Sequence, residues 1–96
     1  MSTYAIKAQI AAARLLPDLL AAGARAGLDA PVWTIGHDGV GAEVDSVAEF
    51  EGWTRVIGAT ATEPRVYASG TCLSSARRYP EEGIAVVVRA KLPPDA

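Results

Sequence analysis

His37-Asp38 is the first pair whose residue types could do chemistry, since an imidazole beside a carboxylate can serve as a general base. The pair lies inside Gly36-His37-Asp38-Gly39, where Asp-Gly is turn chemistry and no nucleophile is close in sequence. The spacing therefore predicts a hairpin tip. Cys72, Ser74 and Ser75 form a second candidate, a nucleophile cluster. A reactive thiol needs a base or a cation at a cleft, whereas Cys72 falls in phase with Val66 and Ala68, which predicts a buried, inert sulfur. As the only cysteine, it excludes an intrachain disulfide and a paired-cysteine zinc site. Gly36, Gly39 and Gly41 do not stand between a strand and a helix, so a phosphate loop lacks its context. No catalytic, metal-ligating or cofactor-binding set is predicted.

Binding chemistry is better represented. Arg77-Arg78-Tyr79, with Arg55 and Arg65, is the concentrated basic feature; arginine beside an aromatic ring can grip phosphate or stack on a base. Glu81 and Glu82 follow at once and offset that charge, so the run reads as a solvated loop tip available to a partner. Trp33 and Trp53, in a chain with 6% aromatic residues, are expected to anchor a hairpin on a helix. An outward tryptophan would be a binding hot spot instead. The candidate partner-binding residues are Arg77, Arg78, Tyr79, Tyr67 and Trp33.

Totals limit what can surround these residues. Ninety-six residues suffice for one domain with a modest core. An apolar share of 50% with 21% charged residues is that of a globular chain rather than a disordered tail. A net charge of −2 disfavours nucleic acid as the partner. Lys7, Gln9 and Arg14 interrupt the N-terminal stretch, which lacks the apolar run of a signal peptide or membrane span. A cytoplasmic protein is the expectation, with no membrane partner.

The elements that must position these residues follow from periodicity. Residues 3–26 carry apolar residues at helical spacing, with Pro17 predicting a kink or a break into two helices. Gly27, Leu28 and Pro31 mark the end of that segment. Residues 31–45 alternate about the 36–39 turn as a β-hairpin. Ser46-Val47-Ala48-Glu49 is a capping box opening a helix that buries Val47, Phe50, Thr54 and Ile57, with Trp53 at the edge, and Gly58 stops it. Residues 59–64 read as a loop, 65–75 as one strand with Gly70 a bulge, and 75–83 as a polar connection. Gly83–Leu92 has the densest β-branched content and reads as a central strand covered on one face. The order helix, hairpin, helix, hairpin predicts an α+β fold: a four-stranded, mostly antiparallel sheet with helices on one face.

The runs Leu16-Pro17-Asp18-Leu19-Leu20, Pro31-Val32-Trp33-Thr34-Ile35, Phe50 and Trp53 before Gly58, and Ala68-Ser69-Gly70-Thr71, in an alanine- and arginine-rich chain, resemble small uncharacterised proteins of actinobacteria and their phages. The resemblance implies a bacterial or phage origin and brings no activity with it.

The expected function is a non-catalytic protein-interaction or regulatory module, homodimeric, in which a second copy pairs at a sheet edge or a protein partner meets an outer sheet face bearing Tyr67, Thr71, Leu73 and Val87. Two alternatives belong to other classes. One is a small enzyme joining His37 and Asp38 to the Arg77 loop, which requires both loops at one end of the sheet. The other is a nucleic-acid binder using Arg65, Arg77, Arg78 and Arg89.

Overall fold

The structure, a computed structural model, describes residues 3–36, 39–61 and 64–93. Two helices, α1 (Thr3–Arg25) and α2 (Val47–Ile57), pack on a sheet of six strands. The strands are β1 (Val32–Gly36), β2 (Gly39–Val44), β3 (Thr60–Ala61), β4 (Arg65–Tyr67), β5 (Gly70–Tyr79) and β6 (Ile84–Leu92). They fill five positions in the order β1-β2-β6-β5-β3, with β4 on the same edge of β5 as β3. The fold is α+β, but the sheet is wider than four strands and mixed. β2 and β6 run parallel, with Gly39 opposite Ala85 and Val44 opposite Ala90. A parallel pair needs a crossover, and here α2, β3, β4 and β5 supply it.

α1 is one helix, not a broken pair, although Pro17 lies inside it. Pro17 is solvent-exposed. Ala8 and Ala12 before it and Leu19 after it are buried in one core cluster, so docking along the helix outweighs the lost ladder bond. Its end matches expectation: Gly27 takes φ +76°, its N–H donates to Ala24 O, and that of Leu28 donates to Gly23 O. In α2 the Ser46 Oγ accepts from the Glu49 N–H at 3.1 Å. Gly58 closes the helix at φ 71°, a left-handed value that a side chain would strain.

Two burial expectations in α2 need correction. Val47 is 43% exposed, and Trp53, expected at the margin, is 1% exposed and central. Trp53 reaches α1, where the absence of a side chain at Gly23 leaves room for its ring. β6 holds the middle of the sheet, as its composition predicts, and Val86, Val88 and Ala90 are 0% exposed against the helices. Burial of each such valine contributes about 1.5–3 kcal/mol.

The C-terminal half departs most from the sequence reading. Residues 65–75 are not one strand. Ala68 and Ser69 turn the chain, and Tyr67 faces Gly70 across a tight hairpin. Gly70, at φ +135°, packs against the Leu92 carbonyl where no Cβ would fit, so it is a close-approach residue rather than a bulge. Thr60 and Ala61, expected in a loop, pair with Ala76 and Ser75. The 75–83 connection shrinks to Pro80–Gly83, and Arg77, Arg78 and Tyr79 lie on strand β5. Their charge and exposure imitate a loop because few elements pack against that part of β5.

Candidate functional site

Register decides which side chains share a face, because residues directly opposite in neighbouring strands point the same way. On the helix side stand Val40, Ala42 and Val44 of β2, Val86, Val88 and Ala90 of β6, and Leu73, Ser75, Arg77 and Tyr79 of β5. The other face carries no helix. Across it, Arg65, Cys72 and Lys91 form one row, and Ser74, Arg89, Glu43 and Val32 the next. Ala76, Val87, Gly41 and Thr34 form a third, and Arg78, Ala85, Gly39 and Gly36 a fourth.

The last two rows are almost free of bulk. Gly36, Gly39, Gly41, Thr34, Ala85 and Val87 line an open trough of about 350 Å³, with Glu43 and Arg89 at its side. A Cβ on Gly41 would meet the Val87 carbonyl oxygen at 3.5 Å, an ordinary contact, so the trough could be filled without strain in the sheet. Around it the described residues of this face present Arg65, Arg78, Arg89 and Lys91 against one carboxylate, Glu43. That is a local balance of +3 in a chain of net charge −2. Lys91 Nζ lies 3.5 Å from Glu43 Oε1, with both side chains largely exposed, which removes little of the field.

The expected partner-binding residues divide between the two faces. Arg78 and Tyr67 are exposed on the uncovered face, Tyr67 at 53%. Arg77 and Tyr79 are on the helix side. There the Arg77 Nη1 donates to the Ile57 carbonyl at 3.2 Å, and its guanidinium lies 5.1 Å from the centre of the Tyr79 ring. This cation satisfies an end carbonyl of α2 and complements the helix dipole. Trp33 is half-buried, its ring 5.3 Å from that of Trp53 and 81° to it, so both tryptophans join the hairpin to α2. The Trp53 Nε1 donates to the Asp29 carbonyl at 3.2 Å, while the Trp33 Nε1 is buried with no acceptor among the described residues.

Turning at Ala68-Ser69 reverses the expected phase. Cys72 shares the uncovered face with Arg65 and Tyr67, not a face with Val66, and is half-buried rather than sealed in the core. Thr71 and Leu73, expected on the outer patch, face the helices, while Tyr67 and Val87 stay outside. Ser75 points away from Cys72 and is fully buried, its Oγ 2.8 Å from Thr54 Oγ1. His37 and Asp38 lie outside the described residues. Gly36 and Gly39, which bracket them, share a row with Arg78, so the turns of both hairpins fall at one end of the sheet. Among the described residues, no three His, Cys, Asp or Glu side chains gather where they could hold a metal ion. No helix is long and apolar enough to cross a membrane, again among the described residues.

The trough is not among the features expected from the sequence. Its signal was present: glycine at alternate positions 39 and 41 of one strand leaves one face of that strand bare. No protein-family model, curated protein or solved structure matches the chain.

Proposed function

We propose that this chain is a non-catalytic, homodimeric interaction module of bacterial or phage origin, acting in the cytoplasm. Its partner is a protein that presents an acidic segment to the uncovered sheet face. The observation that carries this reading is the combination on one face of a small-residue trough and four cations against one carboxylate. Small residues let a partner's side chains approach the strands closely, and the field favours an acidic surface over a neutral one. Arg78 and Tyr67 belong to this surface. Arg77, Tyr79 and Trp33 support it from the other side of the sheet.

Affinity capture from the source organism, wild type against variants, tests the reading. Gly41→Ile fills the trough and Arg89→Glu reverses its charge; both should lose a protein that wild type and Arg55→Glu, altered on exposed α2, retain. Equal capture by wild type and all three variants contradicts it. The three arginines Arg65, Arg78 and Arg89 on one face favour a second reading, a single-stranded nucleic acid. Retention on DNA or RNA that falls steeply with added salt, and disappears in Arg89→Glu, would move the assignment there.

A further inference from the structure

The two edges of the sheet differ in a way that points to one of them. On one side β3 and β4 have two and three residues, with Pro64 between them and Arg65 opening β4, which blunts the edge against pairing. On the other, β1 is five uninterrupted residues, Val-Trp-Thr-Ile-Gly, with no charge and no proline inside, in a chain that is 21% charged. Val32 is 83% exposed and Ile35 37%.

The backbone of β1 is half committed. Gly36 pairs with Gly39 across a two-residue connection, and such a connection closes on a hydrogen-bonded pair. Bonded pairs alternate along an antiparallel ladder, so Val32, Thr34 and Gly36 use their backbone groups on β2. Those of Trp33 and Ile35 point outward from the sheet.

We propose that β1 of a second copy of this chain pairs there, antiparallel, about a two-fold axis through Thr34. This rests on the homodimeric part of the function proposed above and gives it a place and a register. About that axis Trp33 of each copy stands opposite Ile35 of the other, so all the outward groups of both residues are paired. On the helix side the register sets the Trp33 side chain beside Ile35 and prolongs the apolar layer across the seam. On the uncovered face it sets Thr34 beside Thr34, a favourable cross-strand pair, and Val32 over Gly36. No charge meets a like charge within the strand. The two five-position sheets become one of ten, and the two troughs come to lie side by side, doubling the surface offered to a partner. The strand spans about 17 Å, and its seam is smaller than the roughly 800 Å² per partner of a standard interface. The dimer is therefore a concentration-dependent one.

The axis makes a sharp test. In a Cys72→Ser background, Thr34→Cys places two thiols at a pair whose Cα atoms lie about 4.5 Å apart, inside the span of roughly 4.4–6.8 Å that a disulfide needs. Val32→Cys is more exposed, but the same register sets it four residues from its mate, about 13 Å along the strand. Under mild oxidation Thr34→Cys should run as a covalent dimer while Val32→Cys stays monomeric. Sedimentation of wild type should show a mass rising from 10.0 kDa towards twice that with concentration. Thr34→Lys, which sets two ammonium groups at the axis, should hold the lower mass. A wild-type dimer with no preference for crosslinking at position 34 overturns this placement and leaves the homodimer standing. A monomer at the highest soluble concentration, again without that preference, overturns both. Capture of a partner by the trough is measured separately and is unaffected by either result.

Discussion

Gly23→Ala should destabilise this protein, against the usual rule for a glycine inside a helix. Replacing such a glycine by alanine normally gains up to about 1 kcal/mol through backbone entropy. In α1, a Cβ at position 23 would stand 2.9 Å from both Cζ2 and Cζ3 of Trp53, and closer still to Cη2. Carbon pairs rest at about 3.5–4.0 Å, so the indole or the helix must retreat by roughly 1 Å. The indole has little freedom to do so: it is 1% exposed, braced edge-on by Trp33, and tied through Nε1 to the Asp29 carbonyl. Overpacking of this kind costs about 1–3 kcal/mol, and a strained Trp53 bond adds about 1 kcal/mol. After the helix gain is subtracted, a net loss of about 2 kcal/mol remains. For a domain of this size that lowers Tm by roughly 8–16 °C. Urea unfolding followed by tryptophan fluorescence reads it directly. Gly52→Ala is the control: its Cβ would meet the Leu28 Cδ2 at 2.6 Å, the end of a flexible side chain that can rotate away. That variant should stay within about 0.5 kcal/mol of wild type. A Gly23→Ala protein more stable than wild type would mean that α1 does not seat on Trp53.

The buried Thr54–Ser75 hydroxyl pair predicts a non-additive cycle. Thr54→Val or Ser75→Ala alone should cost about 1–3 kcal/mol by stranding the other hydroxyl, and the double variant should recover much of it. Trp53→Phe should destabilise more than Trp33→Phe in thermal melts, because among the described residues the indole of Trp53 has a hydrogen-bond acceptor and that of Trp33 has none. Lys91→Ala should leave the unfolding free energy from urea titration within about 0.5 kcal/mol of wild type, at low and high salt alike, since its ion pair with Glu43 is exposed.

What could be read from the sequence was what local chemistry dictates. Ser46 with Glu49, Gly58, and Gly27 before Leu28 mark helix ends through the backbone groups they satisfy, and each mark holds in the structure. The β-branched run of β6 likewise marked the middle of the sheet. What escaped the reading depends on partners distant in the chain. Nothing in Val40–Val44 alone states that β2 lies parallel to β6, because its partner strand comes about forty residues later, beyond α2, β3, β4 and β5. Ala68-Ser69 is weak turn chemistry, so the residues read as one strand where a hairpin stands, and one slip of phase sets Cys72 with Val66, and Thr71 and Leu73 with Tyr67, in place of the observed Cys72 with Tyr67 and Thr71 with Val66. The candidate surface inherits that error. Tyr67 and Val87 were expected outside and are, whereas Thr71 and Leu73 turn to the helices and Cys72 comes out. Arg77 was visible only as a charge; its bond to the Ile57 carbonyl joins residues twenty apart.

Helices seal one side of the sheet and leave the other open, and two consecutive residues of β6 distinguish the two sides. In a Cys72→Ser background, Val86→Cys and Val87→Cys place a thiol on either side of the middle strand. A maleimide should label position 87 in the folded protein, and position 86 only as fast as the chain unfolds. Equal labelling at both positions, or faster labelling at 86, would contradict it.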